Sequence, residues 1–250
     1  MTHVRKLQQS PGATADDALA PEIEIVSGVE AAPRVGRYTI IRQLGRGACA
    51  DVFLARADGP AGFEKRVALK VLRREMTRDQ QIVEQFLAEA RLASELSHPN
   101  IVATLDLGMG DDYFIAMELV DGTDLWRLGE TLRRLGQQMP VAVALTIVRR
   151  VCDGLHAAHT AVDARGESLR VVHRDIKPAN VFLARNGMIK IGDFGVARAQ
   201  QLNRPQLTTF GMVKGTTQFM PPEQRTGERF AIDSLHRLTT TLPRLWPVST

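Results

Sequence analysis

The 250-residue sequence has only two cysteines, Cys49 and Cys152, about a hundred residues apart. No CxxC pair and no His/Cys cluster accompanies them, which excludes a disulfide framework or structural zinc site and points to a reducing, cytoplasmic compartment. No apolar run approaches the roughly 18 residues of a membrane span. The opening stretch MTHVRKLQQSPGATADD lacks the apolar centre of a signal peptide. No basic run is dense enough to suggest a nucleic-acid partner, and the net charge of +4 is that of an ordinary surface. Internal repeats are absent too. What remains is 44% hydrophobic and 24% charged, a globular composition, and the length suffices for one large domain or two small lobes with a real core.

Residues 1–36 are rich in Ala, Pro, Gly, Asp and Glu and read as a flexible leader, with Glu22 to Val26 the one short β-type patch. From Arg37 the texture changes. Residues 38–44, 51–56 and 65–72 are three β-type runs separated by Gly-bearing turns, which predicts an antiparallel sheet. Residues 76–96 follow with Ile82, Val83, Phe86, Leu87, Ala90 and Leu92 mostly on one helical face, and Ser97 to Asn100 closes that helix. Two further strands are expected over 101–109 and 112–120. The pattern then turns helical from Asp124, and a long apolar-faced helix is expected with Pro140 in its first position. Between Ser168 and Gly195 short apolar runs alternate with polar loops.

Four segments carry chemistry. Leu44-Gly45-Arg46-Gly47-Ala48-Cys49-Ala50-Asp51-Val52 is close to a glycine-rich loop that lets backbone approach phosphates. Taken alone it also suits an ordinary turn or a dinucleotide fold. A dinucleotide fold needs a helix directly after the glycines, whereas residues 51–56 read as a strand, so a glycine-rich hairpin is favoured. Val67 to Lys70 puts a lysine in a β-run where Ala68 and Lys70 share a face, and Glu89 on the following helix is placed to pair with it. His173-Arg174-Asp175-Ile176-Lys177-Pro178-Ala179-Asn180 sets a carboxylate where it could accept a hydroxyl proton and an amide oxygen suited to a hard cation. Gly192-Asp193-Phe194-Gly195 adds an acid flanked by glycines, suited to Mg²⁺ near phosphates. Each aspartate alone fits turn chemistry; their ordered joint occurrence does not.

From Tyr38 to Glu223 these segments resemble the eukaryotic-type (Hanks-type) serine/threonine protein kinases, bacterial members above all. The resemblance implies an α+β, two-lobed protein-kinase-like fold: a small antiparallel β-sheet lobe with one helix over 37–120, and a mainly helical, incomplete lobe over 121–223. It implies Mg²⁺-ATP as cofactor and a protein Ser/Thr hydroxyl as acceptor. Gly45 and Gly47 would cover the ATP phosphates, with Leu44 among the nucleotide-binding residues; Val52 and Ala68 would sandwich the adenine. Lys70 would bind the α/β-phosphates and pair with Glu89. Met117 would be the gatekeeper, and Glu118 to Val120 the hinge. Asp175 would be the catalytic base, Lys177 would steady the transferred phosphoryl, and Asn180 and Asp193 would hold Mg²⁺. Arg174 would pair with a phosphorylated activation loop, for which Thr208 and Thr209 are the candidate autophosphorylation sites. Gly215-Thr216 would meet the substrate.

The sequence departs from that family in four places. Ala50 stands in the third glycine position, Cys49 sits at the loop tip, and Pro221 replaces the alanine of an Ala-Pro-Glu triplet. Residues 224–250 read as an atypical tail: no long apolar period follows Asp233, and Pro243 and Pro247 interrupt the rest. The expected cost is exposure of the apolar underside of the long helix from Leu145 to Leu155, at roughly 1.5–3 kcal/mol per large side chain uncovered. An active kinase is therefore weighed against an inactive fragment acting at most as a nucleotide-binding or regulatory module. A small-molecule phosphotransferase is a third reading, disfavoured by Lys177 and Gly215-Thr216.

Overall fold

The β-type runs near the beginning form strands because Val, Ile, Leu and Phe alternate there with polar residues, so one face can be buried while the other stays wet. A computed structural model of the protein describes residues 32–173 and 175–194. The expected Glu22–Val26 patch, Arg174, Gly195, Thr208, Thr209, Gly215-Thr216 and the 224–250 tail lie outside the described residues.

The strands are β1 (Arg34–Val35), β2 (Tyr38–Arg46), β3 (Ala50–Asp58), β4 (Glu64–Leu72), β5 (Thr104–Gly108) and β6 (Phe114–Glu118). They pair antiparallel in the order β1-β2-β3-β4-β6-β5. One face carries Tyr38, Ala55, Val67, Leu69, Phe114 and Ala116, all buried in one cluster. The other face packs on helix α1 (Gln80–Ser94) through Ile115, Leu72 and the helix residues Val83, Phe86 and Ala90. The helix was expected from residue 76 but starts at Gln80. Asp79 caps it, accepting from the N–H groups of Gln81 at 2.9 Å and Ile82 at 3.4 Å. Residues 101–103, expected as strand, make only an isolated parallel bridge between Ile101 and Ile191.

Phe114 explains why a glycine stands at the end of β5. A Cβ on Gly108 would stand 1.9 Å from the Phe114 ring, so the ring occupies space that no other residue could leave. Tyr38 meets the same ring edge-on at 5.4 Å. Its hydroxyl donates to Asp106 on β5 at 2.9 Å, which ties β2 to the far edge strand.

The second part begins with β7 (Gly122–Asp124), which pairs with β8 (Val181–Ala184), and β8 with β9 (Ile189–Ile191). Asp124 ends β7 and caps α2 (Leu125–Arg134), its carboxylate accepting from Arg127 N–H at 2.9 Å. Helix α3 (Val141–His159) starts one residue after Pro140, which serves as its cap and not its first residue. Along α3, Ile147, Val151, Leu155 and Ala158 recur at helical spacing and are buried against Ile101, Val171, Val181, Ile191 and Phe194. The expected uncovering of the helix from Leu145 to Leu155 is thus only half observed. Leu145 is 65% exposed, but Ile147, Val151 and Leu155 are buried by β8, β9 and the loops around them. Gly154 lets α3 approach closely: a Cβ there would lie 2.9 Å from the Asn100 carbonyl.

Gly108→Ala is expected to destabilise the chain by about 2 kcal/mol through overpacking. Chemical denaturation should show most of that loss disappearing when the same change is made in a Phe114→Leu background, which vacates the space.

Candidate active site

Strand register assembles the first half of the site. Across the sheet Gly45 lies opposite Val52, Val52 opposite Lys70, and Ala68 opposite Met117. Residues opposite one another share a face, and so do residues two apart. Val52, Ala68, Lys70 and Met117 are therefore one surface, the face that also meets α1. Leu44 lies where the β2–β3 register shifts, between Gln43 and Gly45, and Val120 just past β6; both are half-buried. The hairpin tip after Arg46 is tight. Gly47 N–H donates to the Ala50 carbonyl at 2.9 Å, and a Cβ on Gly47 would be 2.7 Å from that oxygen. Glycine is needed there, whereas Ala50 is accommodated as a buried strand residue.

Lys70 reaches from β4 to two carboxylates. Its ammonium donates to Glu89 Oε1 at 2.6 Å and to Asp193 Oδ1 at 3.2 Å. Glu89 is three residues beyond Phe86 and adjoins Ala90, both buried, so it lies at the packed side of α1. Burial alone would lower the Lys70 pKa, but the Asp193 and Glu89 charges outweigh it and hold the ammonium above the usual lysine range. Burial raises the Glu89 carboxyl, with Lys70 opposing. Asp193 is held below the usual range, first by Lys70 and against the effect of burial. Its backbone has φ +56°, a left-handed conformation that aspartate tolerates better than most residues.

The second half comes from the loop after α3. Lys177 donates to Asp175 Oδ2 at 2.8 Å, and the Asn180 amide nitrogen donates to the Asp175 carbonyl at 2.9 Å and its Oδ2 at 3.2 Å. A short 3₁₀ turn over Pro178–Asn180, opened by the proline, sets that orientation. With the amide nitrogen committed to Asp175, the Asn180 oxygen is the end suited to a cation. Gly192 N–H donates to the Asn180 backbone carbonyl at 3.0 Å, which joins this loop to the Asp193 turn.

Several residues outside the expected set hold these parts in place. His173 is buried, its Nε2 3.0 Å from the Gly192 carbonyl and its Nδ1 accepting from Asp175 N–H at 3.3 Å. Both contacts suit the neutral ring protonated on Nε2, and burial pushes its pKa down to about 4. The Phe194 ring lies against it at a tilt of 41°, centroids 4.5 Å apart. Asn100, also buried, donates to the Ile189 carbonyl at 2.7 Å. Glu118, expected to serve through its backbone, uses its side chain as well: it pairs with Lys190 at 2.8 Å and accepts from Ala103 N–H at 3.2 Å. His173 was visible as part of the segment carrying Asp175. Asn100 and Lys190 had no local signal, because their partners come from distant sequence.

The neutrality of His173 sets a pH dependence. The folded protein resists protonating it until about pH 4, whereas an unperturbed histidine titrates near 6.5. Its contribution is complete above pH 6.5 and is lost as pH falls through that window, by about 2 kcal/mol at pH 5 and about 3 kcal/mol in all. Denaturation of the wild type and His173→Phe at pH 7.5 and pH 5 should show the smaller loss in the variant.

The protein kinase domain family model matches residues 38–232. The chain is 40% identical over 197 residues to tyrosine-protein kinase MasK of Myxococcus xanthus, covering 77% of this chain and 30% of that protein. It is 37% identical over 193 residues to serine/threonine-protein kinase PrkC of Bacillus subtilis, covering 77% and 27%. The chain thus spans less than a third of the length of these relatives. The crystal structure of the Mycobacterium tuberculosis PknI kinase domain matches with TM-score 0.53 and 34% identity over 68% of this chain and 64% of that one. A two-part α+β fold, an ordered set of Lys70, Glu89, Asp175, Asn180 and Asp193, and a family match over most of the sequence agree: the chain belongs to the protein kinase domain family.

Proposed function

We propose that this chain transfers the γ-phosphoryl group of ATP to a serine or threonine hydroxyl of a protein. The observation that carries this reading is the convergence on Asp193: one carboxylate joined to Lys70 of the sheet, and one residue from a loop that hydrogen-bonds to Asn180. The donor set fits a hard divalent cation, since Asp193 offers carboxylate oxygens and Asn180 an amide oxygen. Bound there with the nucleotide, Mg²⁺ would neutralise phosphate charge.

The chain's own residues supply position and charge. Lys70, kept protonated by its two carboxylates, holds phosphate oxygens, and Glu89 keeps its ammonium in place. Val52 and Ala68 flank the base, with Met117 behind it and the backbone from Glu118 to Val120 along its edge. Gly45 and Gly47 bring the hairpin backbone over the phosphates. Asp175, held by Lys177 and Asn180, accepts the proton of the attacking hydroxyl. Lys177 then stands two residues from the base, where it steadies the transferred group, and that favours serine or threonine over tyrosine.

The reading includes autophosphorylation at Thr208 or Thr209, with Arg174 as the partner of the added charge. It also places the domain in the cytoplasm, where ATP is available and where Cys49 and Cys152 remain free thiols. No helix among the described residues is long and apolar enough to cross a membrane.

Incubation with labelled ATP, Mg²⁺ and a mixed Ser/Thr/Tyr peptide library should give phosphoserine or phosphothreonine. Asp175→Asn should lower transfer at least about a hundredfold while leaving ATP binding within about threefold, because a general base acts on the chemical step. Asp193→Ala should lose Mg²⁺-ATP binding itself. ATP binding without transfer by the wild type would favour the nucleotide-binding or regulatory module, and phosphotyrosine would reassign the acceptor. Phosphopeptide mapping that finds active enzyme unmodified at both threonines would remove the autophosphorylation step.

A further inference from the structure

Arg73, one residue beyond β4, grips the tip of the glycine-rich hairpin with both of its ends. Its backbone N–H donates to the Cys49 carbonyl at 2.9 Å, and its guanidinium Nη2 donates to the Ala48 carbonyl. These carbonyls belong to consecutive peptide groups. A trans peptide group points its C=O and N–H in opposite directions. With both carbonyls held on Arg73, the N–H groups of Cys49 and Ala50 point away from it. Successive backbone N–H groups turned to one side are the donors that bind phosphate.

The charge of Arg73 gives a second, independent observation. The adjacent Arg74 pairs with Asp112 at 3.9 Å, but among the described residues Arg73 has no carboxylate partner, and its buried Nε has no hydrogen-bond partner. A half-buried guanidinium without a counter-charge is costly unless an anion approaches. It stands at the tip of the glycine-rich hairpin that the phosphotransfer reading sets over the phosphate chain.

We propose that Arg73 is a positioning residue that clamps the hairpin tip and sets its height over the phosphate chain of a nucleoside triphosphate, adding positive field at the tip. This rests on the phosphotransfer reading of the same site. The clamp acts on phosphates and leaves recognition of the base alone, so it separates ligands that differ only in phosphate content.

Binding of Mg²⁺-ATP, Mg²⁺-ADP and adenosine to the 250-residue chain tests this, with Arg73→Ala and Arg73→Lys beside the wild type. Arg73→Ala should weaken ATP about tenfold, as expected for loss of one charge-assisted hydrogen bond, and should leave adenosine within about twofold. KM for ATP should rise by a similar factor with kcat changed less than about threefold. Arg73→Lys, which keeps the charge but offers a point donor in place of the planar fork, should recover part of the loss. If the wild type binds no ATP, the phosphotransfer reading fails and the clamp with it. If the wild type binds ATP and Arg73→Ala binds it as tightly, the clamp alone is overturned. Equal loss of all three ligands would overturn it too, by showing a purely structural role.

Discussion

The ammonium of Lys70 is the point on which the rest of the structure turns. It is nearly enclosed, and burial of a lone cation would be severely unfavourable. Glu89 from α1 and Asp193 from the turn after β9 make that burial tolerable. Each carboxylate depends on the same cation in return. The three charges therefore lock the sheet, the helix on its face and the loop that follows β9 into one arrangement. The packing of Val83, Phe86 and Ala90 sets the rotation of α1 that brings Glu89 into range. Chemistry and packing are here one constraint.

A second group of polar contacts does for the loops what Lys70 does for the sheet. His173, Asn100 and Asn180 are all buried, and each meets backbone groups of the segment from β9 to Gly192. Buried polar groups must be satisfied or they cost about 1–3 kcal/mol each, so these contacts define the loop path closely. Glu118 and Lys190 add a charged tie between the end of β6 and β9. The positive φ at Asp193 is held by this surrounding network, not by any local preference strong enough to impose it.

Much of the fold was legible because its signals are local. Period two in residues 65–72 placed Ala68 and Lys70 on one face, and the register then carried Val52 and Met117 to the same surface. Helical spacing in α1 marked the face on which Val83, Phe86 and Ala90 are buried. Boundaries fared less well. The helical pattern runs from residue 76 in the sequence, but the cap geometry of Asp79 sets the start at Gln80; Pro140 serves as a cap, one residue outside α3. The expected exposure of α3 failed at Ile147, Val151 and Leu155, because strands β8 and β9 cover that side, and their placement has no trace in the periodicity of the helix.

The sequence by itself determined the residue types, their order and the family, since a lysine in a strand, an Asp-x-Lys loop and a second aspartate between glycines leave few chemistries open. Only the tertiary structure decided that Lys70 binds two carboxylates at once, that Asn180 turns its nitrogen to Asp175, and that Arg73 holds the hairpin tip. These are contacts across as many as 123 residues of chain. Side-chain direction at such distances is set by strand register, helix rotation and the demand that every buried polar group find a partner, none of which a single segment of sequence contains.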